Sequence, residues 1–161
     1  MTPAAFDDAV RALLASDAVF VPAVCALLCV PLVHVLEANM PVASIPSDAF
    51  PCWVVEQGDG AMSPIVNDGG GGGLVIGMAE QQFASTLELA LVWKEQDRAQ
   101  ARDQRTRLPT LVAQLFMRNP QPGGVDAWLE SWSPDRGGLH PVQAWRATIR
   151  GEYITPREES P

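Results

Sequence analysis

The stretch LELALVWKEQDRAQARDQRTRLPTLVAQLFMRNP, residues 87–120, decides how this chain reads, because two hydrophobic periods meet in it head to tail. Leu87, Leu89, Leu91 and Trp93 alternate with Glu88, Ala90, Val92 and Lys94, the period of two that marks a strand with one face on a core. After Asp97 the period lengthens, and Leu108, Leu111, Val112, Leu115 and Phe116 fall along one side of a helix. The first half of that helix, with Gln96, Arg98, Gln100, Arg102, Gln104 and Arg105, is polar nearly all round. Pro109 either kinks one helix or opens a second at its first position. Asn119-Pro120-Gln121-Pro122-Gly123-Gly124 then stops the helix and turns the chain.

Upstream, Thr2-Pro3 is a helix start, and Phe6, Val10, Leu13 and Leu14 give a short amphipathic helix ending near Ser16. A second, wholly apolar helix fits residues 22–29, and residues 31–51, with four prolines, read as extended or loop chain. Cys52-Trp53-Val54-Val55-Glu56 is a short strand, and residues 57–73 read as a long loop ending in five glycines. A longer strand region follows, interrupted around residues 80–85 and ending in the run at 87–93. Downstream, residues 125–133 and 142–154 alternate as two strands with a turn at 134–138, and residues 156–161 form a loose polar tail. The order predicts an α+β fold in one domain over residues 1–155: a small, mostly antiparallel sheet with the N-terminal helix and the long helix packed on one face.

Facing residues sharpen the picture of the two closing strands. Val125, Ala127 and Leu129 share one face, and strict alternation puts Asp126, Trp128, Glu130 and Trp132 on the other. Trp145, Ala147, Ile149 and Tyr153 are the apolar face of the last strand, opposite Arg146, Thr148 and Arg150. Antiparallel pairing brings Asp126 and Glu130 across from Arg146 and Arg150. Trp128 and Trp132 then stand on a charged face, which implies a partner that covers them.

The 161 residues are 47% hydrophobic with five tryptophans, enough for a core and against disorder. The net charge of −8 is uneven. Residues 1–97 carry two basic residues against twelve acidic ones, and residues 98–161 carry nine arginines against seven acids. Such a split fits head-to-tail self-assembly or a polarised partner surface. With a single lysine, the chain lacks the clustered cations that wrapping nucleic acid requires. Three cysteines, Cys25, Cys29 and Cys52, match no disulfide framework and fit buried thiols in a reducing compartment. Residues 19–36 are free of formal charge, but Pro22, Pro31 and His34 interrupt them and acidic residues precede them, so a buried helix with its exit loop is expected rather than a membrane anchor or a signal peptide.

The search for chemistry returns little. Gly69, Gly70, Gly71, Gly72 and Gly73 lead into Leu74-Val75-Ile76, a strand, with no lysine near, whereas a phosphate cradle opens a helix. The residues therefore read as a flexible loop and as a candidate for reaching a partner. Cys25 and Cys29 stand at the spacing of one helix turn rather than of a zinc knuckle, His34 lies in an apolar run, and His140 sits in a turn beside Pro141. No serine has a Gly-x-Ser-x-Gly frame, and Asp126 with Glu130 fits cross-strand ion pairing better than acid–base work. Catalytic residues, a metal and a cofactor are not expected. Arg98, Arg102 and Arg105 fall at i, i+4 and i+7, one face of the helix. They are either a solvated face or a contact with the acidic half of a neighbouring copy.

The order of an N-terminal helix, a Pro-Cys-Trp-Val-Val-Glu strand, a long strand ending in Val-Trp, a polar-then-apolar helix, a Gly-Val-Asp-Ala-Trp strand and a closing Trp-Arg-Ala-Thr-Ile-Arg-Gly-Glu-Tyr strand resembles the tail terminator (tail completion) proteins of long-tailed bacteriophages. The resemblance spans residues 1–155 and is one of element order rather than of an invariant motif. It implies a non-enzymatic virion protein, assembled in the host cytoplasm, whose copies form a hexameric ring on the head-proximal end of the tail tube. Such a ring stops tube polymerisation and offers a docking surface to the head–tail connector. The partners implied are the chain itself, the tail tube protein and a connector or neck protein, with DNA passing through unbound and no membrane. Arg98, Arg102, Arg105, Trp128, Trp132 and the glycines at 69–73 are then the interface candidates. The alternatives are another neck or minor tail protein and, in a different class, a small acidic enzyme or ligand-binding domain.

Overall fold

The computed structural model describes residues 3–36, 41, 44–64, 67–68, 74–75, 80–134 and 140–156. Helix α1 (Pro3–Ser16) and helix α2 (Phe20–Leu28) open the chain, joined at Asp17. A two-residue strand β1 (His34–Val35) precedes the long strand β2 (Cys52–Pro64), and a minor pair, β3 (Asn67–Asp68) with β4 (Leu74–Val75), follows. Strand β5 (Glu80–Lys94), helix α3 (Arg98–Arg118), strand β6 (Asp126–Pro134) and strand β7 (Val142–Pro156) complete the fold. The main sheet has the order β1-β2-β5-β7-β6. Only β1 and β2 pair in parallel; every other neighbour is antiparallel. The expected α+β architecture, a mostly antiparallel sheet carrying the helices, is the one observed.

The helix-bearing face is built by the alternation seen at residues 87–93. Trp53 and Val55 of β2, Leu87 through Trp93 at odd positions of β5, Trp145, Ala147, Ile149 and Tyr153 of β7, and Ala127 of β6 form one core with Phe6, Val10, Phe20, Val24, Leu108, Val112 and Leu115 of the helices. Trp53, Trp93 and Trp145 are fully buried, and Trp53 meets Trp145 edge to face at 6.4 Å and 82°. Each such ring contributes roughly 2–3 kcal/mol by removal from water. Among the described residues the opposite face is covered at one end, where Ile45, Ala49 and Phe50 close over Cys52, Val54, Ala90 and Val92.

Several elements differ from the sequence reading. Strand β2 continues to Pro64, through most of what reads as loop, because β5 is continuous from Glu80 and pairs with it as far as Pro64–Gln81. The chain there, Gln57 to Pro64, has only Ala61 and Met62 as adjacent apolar residues, so alternation gave no signal; pairing with β5 makes the strand. Pro109 lies inside a single helix. The buried stripe Ala101, Gln104, Leu108, Val112, Leu115 and Phe116 runs unbroken past it, so packing holds together what proline weakens. Gln104, placed by the sequence in a polar half, is part of that stripe. Its Oε1 accepts from Trp93 Nε1 at 2.8 Å, and its Nε2 donates to Glu95 at 3.2 Å and to the Leu27 carbonyl at 3.3 Å. Helix α2 buries only Phe20, Val24 and Leu28 rather than all its sides.

Candidate assembly surface

The bare face of the sheet is where the closing strands matter. Strand β6 pairs Trp128 with Arg150 and Leu129 with Ile149, then Ser131 with Thr148 and Trp132 with Ala147. One extra residue, Glu130, is accommodated there as a bulge. Paired residues share a face, so Trp128 stands with Arg150 on the bare side while Trp132 is turned to the side of Ala147, the helix side. Strict alternation had put both tryptophans on one face; the bulge is the physical reason they are not. Both remain large exposed groups, Trp128 at 41% and Trp132 at 54%.

The expected ion-pair ladder is also reduced. Arg150 reaches Glu130 at 3.5 Å and Glu152 at 3.1 Å. Asp126 instead accepts from Gln121 at 2.8 Å, and Arg146, exposed, has no ion pair among the described residues.

The arginine stripe of α3 divides in two. Arg98 and Arg102 are exposed, with no ion pair among the described residues, just beyond the N-cap where Asp97 accepts from the Ala99 and Gln100 N–H groups. Arg105 is half-buried and donates to Gln143 Oε1 at 2.5 Å; Gln143 in turn stands 3.3 Å from His140 Nδ1. Arg105 thus ties α3 to β7 and is withdrawn from the solvent face. Gly69 to Gly73 lie outside the described residues.

Two features went unread in the sequence. The first is a three-stranded arm in which β2, β5 and β7 run on past the start of β6 at Asp126. Met62, Phe83 and Tyr153 form one row across it, with Phe83 and Tyr153 stacked at 4.9 Å and 3°, and Met62 exposed. The alternation Phe83, Ser85, Leu87 was the available signal. The second is Arg11, which pairs with Asp7 at 2.6 Å, donates to the Val55 carbonyl at 2.8 Å and also reaches the Leu36 carbonyl, fastening α1 to the sheet.

Elsewhere the surface offers little chemistry. An open apolar groove between α2 and α3 is lined by Ala23, Ala26, Leu27, Thr110 and Leu111, with Arg107 at its rim. No group of three metal-ligating side chains occurs among the described residues. The thiols are not uniformly buried as expected: Cys52 is, and burial pushes its pKa up to about 11, but Cys25 is half-buried and Cys29 exposed. Among the described residues no single helix is long and apolar enough to cross a membrane; α1 and α2 pass only together, bent by 60°.

No protein-family model matches the chain, and no curated protein matches it. Solved structures do. A chain from the virion of a native gene transfer agent particle superposes with a TM-score of 0.50 at 13% identity, over 94% of this chain and 96% of the other. At that identity the likeness is one of fold, and it runs over nearly the whole of both molecules: this chain is similar in fold to a chain of a gene transfer agent virion.

Proposed function

We propose that the protein is a structural subunit of a phage-like virion, a tail terminator whose copies form a ring at the head-proximal end of the tail tube, stop the tube's growth and receive the head connector. The observation that carries this reading is the end-to-end fold likeness to a virion subunit. The resemblance in element order supports the terminator assignment within that class. Exposed tryptophans at a sheet margin, two arginines at one end of α3 with no ion pair among the described residues and a three-stranded arm suit a subunit that completes its surface by assembly. In this reading the chain acts by position and performs no catalysis, and DNA passes it unbound.

Immunogold electron microscopy of particles from the source, with an antibody to this chain, tests the proposal. Label at the junction of head and tail is the expected result. Label along the tail or at its far end would keep a virion role and overturn the terminator assignment. Unlabelled particles, with the chain free in the cell, would overturn both.

A further inference from the structure

The sheet ends in two strand margins that nothing in the described residues pairs. On the β2 side, β1 covers Cys52 and Trp53 and Arg11 caps the Val55 carbonyl, so the margin is open over residues 56–64. On the β6 side, the Ala127 N–H is taken by the Pro120 carbonyl at 3.0 Å, and the margin is open over residues 128–134. Open strand margins of this length are templates for another strand, and a protein that remains separate blunts them with lysine, bulges, prolines or a covering loop, of which each margin here has one bulge and a terminal proline. Here the only lysine, Lys94, lies on β5, and both margins carry large apolar side chains: Met62 at 57% exposure on one, Trp128 and Trp132 on the other.

The two margins fit each other. Antiparallel pairing through β5 and β7 makes β2 and β6 run in opposite directions, so a copy brought alongside by rotation presents its β6 antiparallel to β2. Each strand carries one bulge, between Gln57 and Gly60 and between Leu129 and Ser131, so the insertions cancel and rows of partners cross the whole sheet. Ala61, Ala84, Glu152 and Asp126 make one such row; Trp53, Leu91, Trp145 and Pro134 make another. Counted in these rows, the midpoints of the open stretches, Gly60 and Ser131, are offset by three residues, and the register one step away, with Ala61 beside Ser131, is offset by four across four long strands. That is about one residue of stagger per strand, the ratio of a closed eight-stranded barrel with strands tilted by about 36°. An even offset also keeps faces in step, leaving Met62 and Trp132 together on the helix side.

We infer that the partner of each margin is a second copy of this chain, the β6 margin of one subunit adding to the β2 margin of the next, head to tail, in a sheet continuous across the interface. This rests on the ring reading above and names the surfaces that close the ring. A head-to-tail contact satisfies both margins in every subunit, which a two-fold contact of like margins does not.

Complementation of two margin-blocked variants tests it. Gln57→Lys/Met62→Lys charges the β2 margin, and Trp128→Lys/Trp132→Lys charges the β6 margin. Circular dichroism checks that each is folded, and an unfolded variant is replaced by its glutamate counterpart. Sedimentation of the purified full chain over a concentration series should show the parent assembling and each variant monomeric. A one-to-one mixture should give dimers of twice the 17.3 kDa chain and nothing larger. A parent that stays monomeric throughout, a variant that assembles like the parent, or a mixture without dimers would each overturn the interface. Junction label in the microscope together with any of these leaves the terminator role standing. Margin-dependent assembly with unlabelled particles does the reverse.

Discussion

Gly151 lies in the middle of β7, where a Cβ would stand 2.7 Å from two ring atoms of Phe6 and from Val125 Cγ1. Its lack of a side chain is what lets α1 come down on the sheet. Gly151→Ala should therefore destabilise by roughly 1–3 kcal/mol through overpacking, read as a lower urea midpoint at unchanged slope. Asp17 holds another joint. It accepts from the Phe20 N–H at 2.7 Å, the Val19 N–H at 3.1 Å, Asn119 Nδ2 at 3.0 Å and Arg118 at 3.1 Å, linking α1, α2 and the end of α3. The Phe20 N–H chiefly, against the opposing effect of burial and with help from Asn119, Val19 and Arg118, lowers its pKa from 3.8 to about 2. A depressed carboxylate stabilises the fold above its unfolded pKa, and this contribution is lost as pH falls from about 4 towards 2. Asp17→Ala should cost about 1–2 kcal/mol at neutral pH, as for a lost helix cap. The gap in Tm between variant and parent should then narrow across that acid window; a constant gap would contradict the assignment.

Between elements, Gln104 does for α2, α3 and β5 what Asp17 does for the helix ends. Gln104→Ala leaves the Trp93 indole N–H without its acceptor inside the core, at a cost of about 1–3 kcal/mol beyond the lost packing. Removing both partners, Trp93→Phe with Gln104→Leu, should cost less than the two single changes added together, measurable as a double-mutant cycle in denaturant. The helix itself was legible in the sequence, its polar first half included. The burial of Gln104 was not, because a glutamine satisfied by three partners looks like a surface residue until those partners are folded around it.

For the whole molecule, charge and exposure separate what folds the subunit from what assembles it. Arg98 and Arg102 touch no acid among the described residues, so Arg98→Glu with Arg102→Glu should leave unfolding within about 0.5 kcal/mol of the parent. If the stripe meets the acidic half of a neighbour, the same double change should weaken self-association, more so at low salt. Equal sedimentation of variant and parent would remove the stripe from the interface. Arg105 belongs to a different class, since its bond to Gln143 makes it part of the fold.

The sequence by itself determined the α+β class, the strand at residues 87–93 running into a long helix, and the alternating face of the last strand. In each, one side of a regular element is buried, and burial writes its period into the residues. What only the tertiary structure decided is what pairing and packing impose without regard to period. The arm beyond residue 56 is a strand because β5 lies beside it. Pro109 stays within one helix because the buried stripe spans it. Trp132 turns to the helix side because one extra residue at Glu130 reverses every side chain after it. An alternation read from sequence assumes that no residue is inserted, and register exists only between two strands.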